Sequence, residues 1–271
     1  MQNVQTATSY LDRVLPAIDL AASRFAALVT AAPDPAVQVP DTPGWTVRDV
    51  AAHLATVVVR YADGPQRRGT WTSTPLELPA LNHAQIRALG AMTAGDLAAS
   101  LHRELAALRA QIQGYGGKLP AFRFHGGEPV RADIALGLLP GELLVHGHDV
   151  ARALRRPWPI DPGHAALVID SLDPILPGWV RPERIQGFTA SFELRLRGQA
   201  SHLWAFRDGR LEVNPPHPGT IDVHISGDPA ALLLVFYGRE PQWRHIATGR
   251  MFAWGRKPWL ALTLTSRFHK P

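Results

Sequence analysis

The chain has 271 residues, 46% of them hydrophobic and 19% charged, with a formal net charge of +5 and no cysteine. That composition fits a globular protein with a proper core, and it excludes disulfides, cysteine-ligated zinc and a protein thiol nucleophile. Residues 1–180 hold 15 Lys and Arg against 16 Asp and Glu, and 181–271 hold the remaining 13 against 7. The positive excess is therefore scattered over the C-terminal third, a pattern that fits a solvated surface or an acidic small substrate better than nucleic acid.

The N-terminus lacks a basic-then-apolar pattern, and no apolar run approaches the roughly 18 residues of a membrane helix, so a cytoplasmic protein is expected. Leu11, Val14, Leu15, Ile18, Ala22, Phe25, Leu28 and Val29 stand at helical spacing and predict a first helix over 8–31. Pro33, Pro35, Pro40 and Pro43 enforce a loop. Thr46-Val47-Arg48-Asp49 reads as a capping box, with Trp45 and Val50 placed for a hydrophobic staple. It predicts a second helix from Val47 to about Ala62, with His53 on its second turn.

Residues 63–79 read as a loop, 82–89 as a short helix opened by Asn82, and 93–112 as a long helix with Leu97, Leu101, Leu105, Leu108 and Ile112 as its stripe. After a loop at 117–130, helical character returns from Arg131 to Leu154, with Pro140 marking a kink or a fresh first turn. Four main helices suit an antiparallel bundle. Arg156 to Pro162 reads as a linker, and 163–176 as one more helix. Strands are expected from Phe188 to Arg197 and at 201–206, 210–213, 220–226 and 259–266, with a helix at Asp228–Tyr237. The fold class is thus an N-terminal four-helix bundle, 1–156, followed by a smaller α+β domain, 163–271.

The densest chemistry lies in Gly141-Glu142-Leu143-Leu144-Val145-His146-Gly147-His148-Asp149. At about 100° per residue, His146 lies near +40° and Asp149 near −20° from Glu142, so the three share a face. His148 falls near 240° and points elsewhere. Glu142 and His146 can bind one ion from adjacent turns, and His53 can add a third ligand from another helix. The spacing alone equally fits a surface Glu–His pair plus a core histidine. Two imidazoles and a carboxylate suit Zn²⁺, with Fe²⁺ and Ni²⁺ possible, and three protein ligands leave a position open.

The stretch W-T-V-R-D-V-A-A-H-L, together with G-E-L-L-V-H-G-H-D-V-A-R-A-L, resembles the mycothiol-dependent maleylpyruvate isomerase family. The Gly227-Asp228-Pro229 helix start and Tyr237-Gly238-Arg239 extend the resemblance over nearly the whole chain. It implies a DinB-like metal-binding bundle and a C-terminal domain similar to sterol-carrier-protein-like folds. It also implies that His53, Glu142 and His146 are the metal ligands and that mycothiol is the thiol cofactor. Position 148 departs from the family, which usually holds an aromatic residue there. His148 is either a fourth ligand, a substrate-facing base or a plain polar residue. Asp149 either supports a ligand imidazole or pairs with Arg152 or Arg131.

Without a cysteine, the nucleophile must be metal-bound water or a thiol from outside. Coordination to a divalent metal deprotonates a thiol whose pKa is otherwise about 8.5. The family's isomerisation would then run as thiolate addition to a cis double bond, rotation and elimination to the trans product. A relative that stops after addition would be an S-transferase. Arg239 is the candidate carboxylate partner, and Asn82 the candidate contact to the thiol; either also reads as an ordinary structural residue. The alternatives are a hydrolase using bound water, with His148 or Asp149 as base, and a non-catalytic lipid- or small-molecule-binding or regulatory protein. Neither a nucleic-acid nor a membrane partner is expected.

Overall fold

The computed structural model describes residues 2–63, 71–116, 118–125 and 129–269. The chain divides into two compact units, 1–160 and 161–271.

The first unit contains α1 (Gln2–Thr30), α2 (Val47–Asp63), α3 (Leu78–Ala88), α4 (Ala94–Gly114), a hairpin of β1 (Ala121–Arg123) and β2 (Pro129–Arg131), α5 (Ala132–Leu136) and α6 (Leu139–Ala153). The bundle is made by α1, α2, α4 and α6, with α2 packed on α4 and α1 on both α4 and α6. Its interior includes Phe25, Leu97 and Leu101 of the predicted stripes, fully buried with Leu54, Leu139, Leu143 and Leu144. Each such side chain contributes roughly 1.5–3 kcal/mol by leaving water. Thr93 caps α4 through a reciprocal box with Asp96.

Pro140 lies in the first turn of α6. Its missing N–H would have no intrahelical acceptor there, so it starts the helix and does not kink it. A short break at Gly137 separates α5 from α6. Two expectations are corrected. The segment before residue 82 is helical, as a 3₁₀ turn at Pro75–Glu77 running into α3, because Pro75 and Pro79 both occupy first-turn positions that tolerate proline. Asn82 therefore sits within α3 and does not open it. The expected loop at 117–130 contains the β1–β2 hairpin; its residues 117 and 126–128, and residues 64–70 of the earlier loop, lie outside the described residues.

The second unit runs α7 (Pro162–Leu172), a 3₁₀ turn (Leu176–Trp179), α8 (Pro182–Ile185), β3 (Ala190–Leu196), β4 (Ser201–Arg207), β5 (Arg210–Val213), β6 (Val223–Gly227), α9 (Pro229–Phe236), α10 (Gln242–Ala247), β7 (Met251–Gly255) and a 3₁₀ helix (Pro258–Arg267). The sheet order is β5-β4-β3-β6-β7, antiparallel except for the parallel β3–β6 pair. The inward face of β3, Ala190, Phe192, Leu194 and Leu196, is buried with Trp204, Phe206, Ile225 and Leu232, and α7 packs on α9. Asp161 and Asp228 cap α7 and α9, accepting from the His164 and Ala231 amides at 2.9 Å.

The last expected strand is also corrected. Residues 258–267 form a 3₁₀ helix, and the edge strand is β7. Its buried residues, Ala261, Leu264 and Arg267, recur every three positions, which is the 3₁₀ period. Among the described residues, no helix is long and apolar enough to cross a membrane.

Candidate metal centre

The site begins with a well-fixed helix end. The Thr46 hydroxyl donates to Asp49 Oδ2 at 2.8 Å and accepts from the Asp49 amide at 3.2 Å, while the Thr46 amide donates to the same carboxylate at 3.0 Å. Two orphan N–H groups are thereby satisfied, which pins the first turn of α2. His53 follows one turn later and is 3% exposed. Trp45 turns its ring toward the site, with its centroid 4.9 Å from that of His53 and 6.2 Å from that of His146.

Opposite, α6 is regular through the motif, so the angular argument holds. The donor atoms of His53, Glu142 and His146 all lie within 4.8 Å of one another. Glu142 Oε2 stands 3.4 Å from His53 Nε2 and 3.5 Å from His146 Nε2. Two ligands at about 2.0–2.1 Å from a tetrahedral ion are separated by roughly 3.4 Å. The donor set thus fits a small divalent cation in chemistry and in spacing.

Asp149 is fully buried, and its Oδ2 lies 3.1 Å from His146 Nδ1. A carboxylate accepts, so Nδ1 carries the proton and Nε2 presents its lone pair to the site. The competing partners are engaged elsewhere, Arg152 with Asp41 and Arg131 with Asp133. His148 is half-buried on another side of α6 and does not join the donor group.

The electrostatics follow from burial and from these contacts. Burial alone lowers the His53 pKa, and the pull of Glu142 only partly offsets it, leaving about 4. His53 is neutral at neutral pH. Burial raises the Glu142 pKa, but the hydrogen bonds and charge of His146 and His53 outweigh it and hold the carboxyl well below its usual range. His146 moves up: burial opposes the change, and Asp149 and Glu142 overcome it.

Sequence reasoning missed two neighbours, Arg60 and His125, each 3% exposed. Arg60 stands seven residues after His53, a spacing that returns to the same helix face and so was legible. Asn82 accepts from Arg60 Nη2, and Gln85 Oε1 from Arg60 Nε at 2.8 Å. His125 Nδ1 lies 2.8 Å from the Thr72 hydroxyl. Arg239 belongs to the second unit, where it follows α9 and donates from Nη1 to the Tyr237 carbonyl at 2.8 Å.

Fold and site define a class: a helix bundle with an interhelical His–Glu–His donor set, followed by an α+β unit. Residues 18–151 match the family model "Mycothiol maleylpyruvate isomerase N-terminal domain". The crystal structure of the mycothiol-dependent maleylpyruvate isomerase is similar to this chain at a TM-score of 0.53 and 15% identity, over 90% of this chain and 92% of that one. A histidine-to-alanine variant of that enzyme is similar over the same shares, at a TM-score of 0.53 and 16% identity. At that identity the likeness establishes the fold of the whole chain. No curated protein matches the sequence.

Proposed function

We propose that the chain is a metal-dependent enzyme that activates a low-molecular-weight thiol, mycothiol, for cis–trans isomerisation or S-transfer on a small carboxylate-bearing substrate. The observation that carries this reading is the convergence of His53, Glu142 and His146 from two helices, with donor separations that fit one ion. A divalent ion held there, zinc being the best match to two imidazoles and a carboxylate, supplies a Lewis acid that makes a thiol a thiolate at neutral pH. The match of residues 18–151 to that family model supports mycothiol as that thiol.

The chain's own residues prepare the site. His53 offers a lone pair with no proton to displace, because burial keeps it neutral. Asp149 fixes the His146 tautomer and ring orientation. Glu142 stays anionic and accounts for one of the ion's charges. Trp45 walls one side and limits water. Arg239 is the proposed carboxylate partner from the second unit, and His148 and Asp149 the candidate groups for proton handling. Asn82 keeps its place as a contact to the thiol through its amide N–H₂, since its oxygen is taken by Arg60.

Metal analysis of the purified protein, followed by calorimetry with mycothiol and glutathione, tests the reading. Stoichiometric zinc that is lost in His53→Ala, and mycothiol binding that needs the zinc, are expected. A protein that holds no metal would end the reading. Metal with no affinity for either thiol would leave a hydrolase or a binding protein.

A further inference from the structure

We propose that Arg60 is a further anion-recognition residue of the metal site, in addition to the Arg239 proposed above, and takes a carboxylate of the substrate. The proposal rests on the metal-site reading above and assigns the substrate class to a side chain of the bundle itself.

Arg60 follows His53 by seven residues on α2, about 20° away around the helix and roughly 10 Å along it. Both residues are 3% exposed. The guanidinium is held from α3: Nε donates to Gln85 Oε1 at 2.8 Å and Nη2 to Asn82 Oδ1. These acceptors are neutral amides. They orient the planar fork without neutralising it, and they use two of its five donors. Among the described residues no carboxylate forms an ion pair with Arg60. The one carboxylate whose charge reaches it is Glu142.

That single counter-charge belongs to the donor set. An ion between His53, Glu142 and His146 commits Glu142 to itself and leaves Arg60 a buried cation with no carboxylate partner among the described residues. His125, also within the electrostatic reach of both Arg60 and Glu142, is neutral. A buried charge with no partner is costly. A fork held in place on the His53 face of α2, within the electrostatic reach of Glu142, is what a ligand carboxylate completes, with two parallel N–H···O bonds. A structural arginine that merely ties α2 to α3 would be satisfied by the amides and indifferent to anions.

The probe is maleate, a small dicarboxylate, with its diamide as the neutral control. Calorimetry is run on wild type, Arg60→Gln and Arg60→Lys, each with and without zinc, and zinc affinity is measured separately. Wild type is expected to bind maleate and not the diamide. Arg60→Gln is expected to weaken maleate at least tenfold, and Arg60→Lys at least threefold, because lysine keeps the charge and loses the fork. Zinc stoichiometry should stay unchanged. Equal maleate affinity in wild type and Arg60→Lys, or no maleate binding to wild type, overturns the proposal, and the lysine variant decides even if the glutamine variant does not fold. A wild type that binds no zinc sinks the metal reading alone, and Arg60-dependent maleate binding is then scored on the metal-free protein.

Discussion

Asp149 is not one of the three proposed metal donors, yet it decides how one of them, His146, is presented. Its carboxylate holds the Nδ1 proton of His146, and it has no exposure through which water could substitute. Asp149→Asn offers a weaker acceptor and a competing N–H₂ group. It is expected to lower zinc affinity about 10–100-fold while the fold persists. Competition with a chelator measures this, and an unchanged affinity would reject the supporting role. Glu142→Gln goes further, because it removes the proposed anionic ligand, and should leave the purified protein without stoichiometric metal. At this scale much was legible from spacing. Glu142, His146 and Asp149 share a face by angular arithmetic alone, and the capped start of α2 marked His53 as precisely held. Arg60 escaped because it sits inside Val57-Val58-Val59-Arg60-Tyr61, where an arginine reads as the polar edge of an apolar stripe. Only the packing of α3 shows that its guanidinium lies under cover.

At the scale of elements, α6 carries Glu142 and His146 on one side and a notch on another. A Cβ on Gly147 would fall 2.1 Å from Trp158 Cζ2. Trp158 also donates its indole N–H to the Leu144 carbonyl at 2.9 Å, and Arg24 lies over its ring at 4.3 Å. Gly147→Ala must displace that ring, so a loss of about 2–3 kcal/mol in denaturant unfolding is expected. A stability equal to wild type would show that the indole moves aside freely. The helices that build this packing were readable because their apolar residues repeat near 3.6. The 3₁₀ helix at 258–267 was not, since Trp259, Leu260, Ala261, Leu262 and Leu264 resemble a strand until burial shows the period of three. The start of α3 was missed for a related reason: proline counts as a loop signal in composition but is neutral in a first turn.

Taken whole, the chain places its two main buried charge clusters in different units. In the second unit, His202 Nδ1 lies 2.8 Å from Asp173, and Nε2 lies 3.3 Å from Asp170. Asp173 also accepts from Trp204 Nε1 at 2.9 Å and from Asn214 at 2.6 Å. Burial by itself lowers the His202 pKa, and the two carboxylates overcome it and raise it to about 9. The folded state therefore holds a proton that the unfolded chain releases near 6.5. The resulting stabilisation, about 2–3 kcal/mol, is complete below pH 6.5 and is lost as pH rises through 9. Denaturant midpoints followed from pH 6 to 10 should fall for the second unit, and a flat profile would rule the coupling out. Zinc should act on the other unit, raising the stability of the bundle by about 2.7 kcal/mol at a hundredfold excess over its dissociation constant. The residue that covers Gly147 also sets where the molecule can be cut. Trp158 lies beyond the end of α6, in a stretch whose prolines read as a spacer, yet it is a plug in the bundle's wall. A bundle excised after Arg156 would lose that plug and open a slot beside α6, whereas one excised after Ile160 would keep its wall closed.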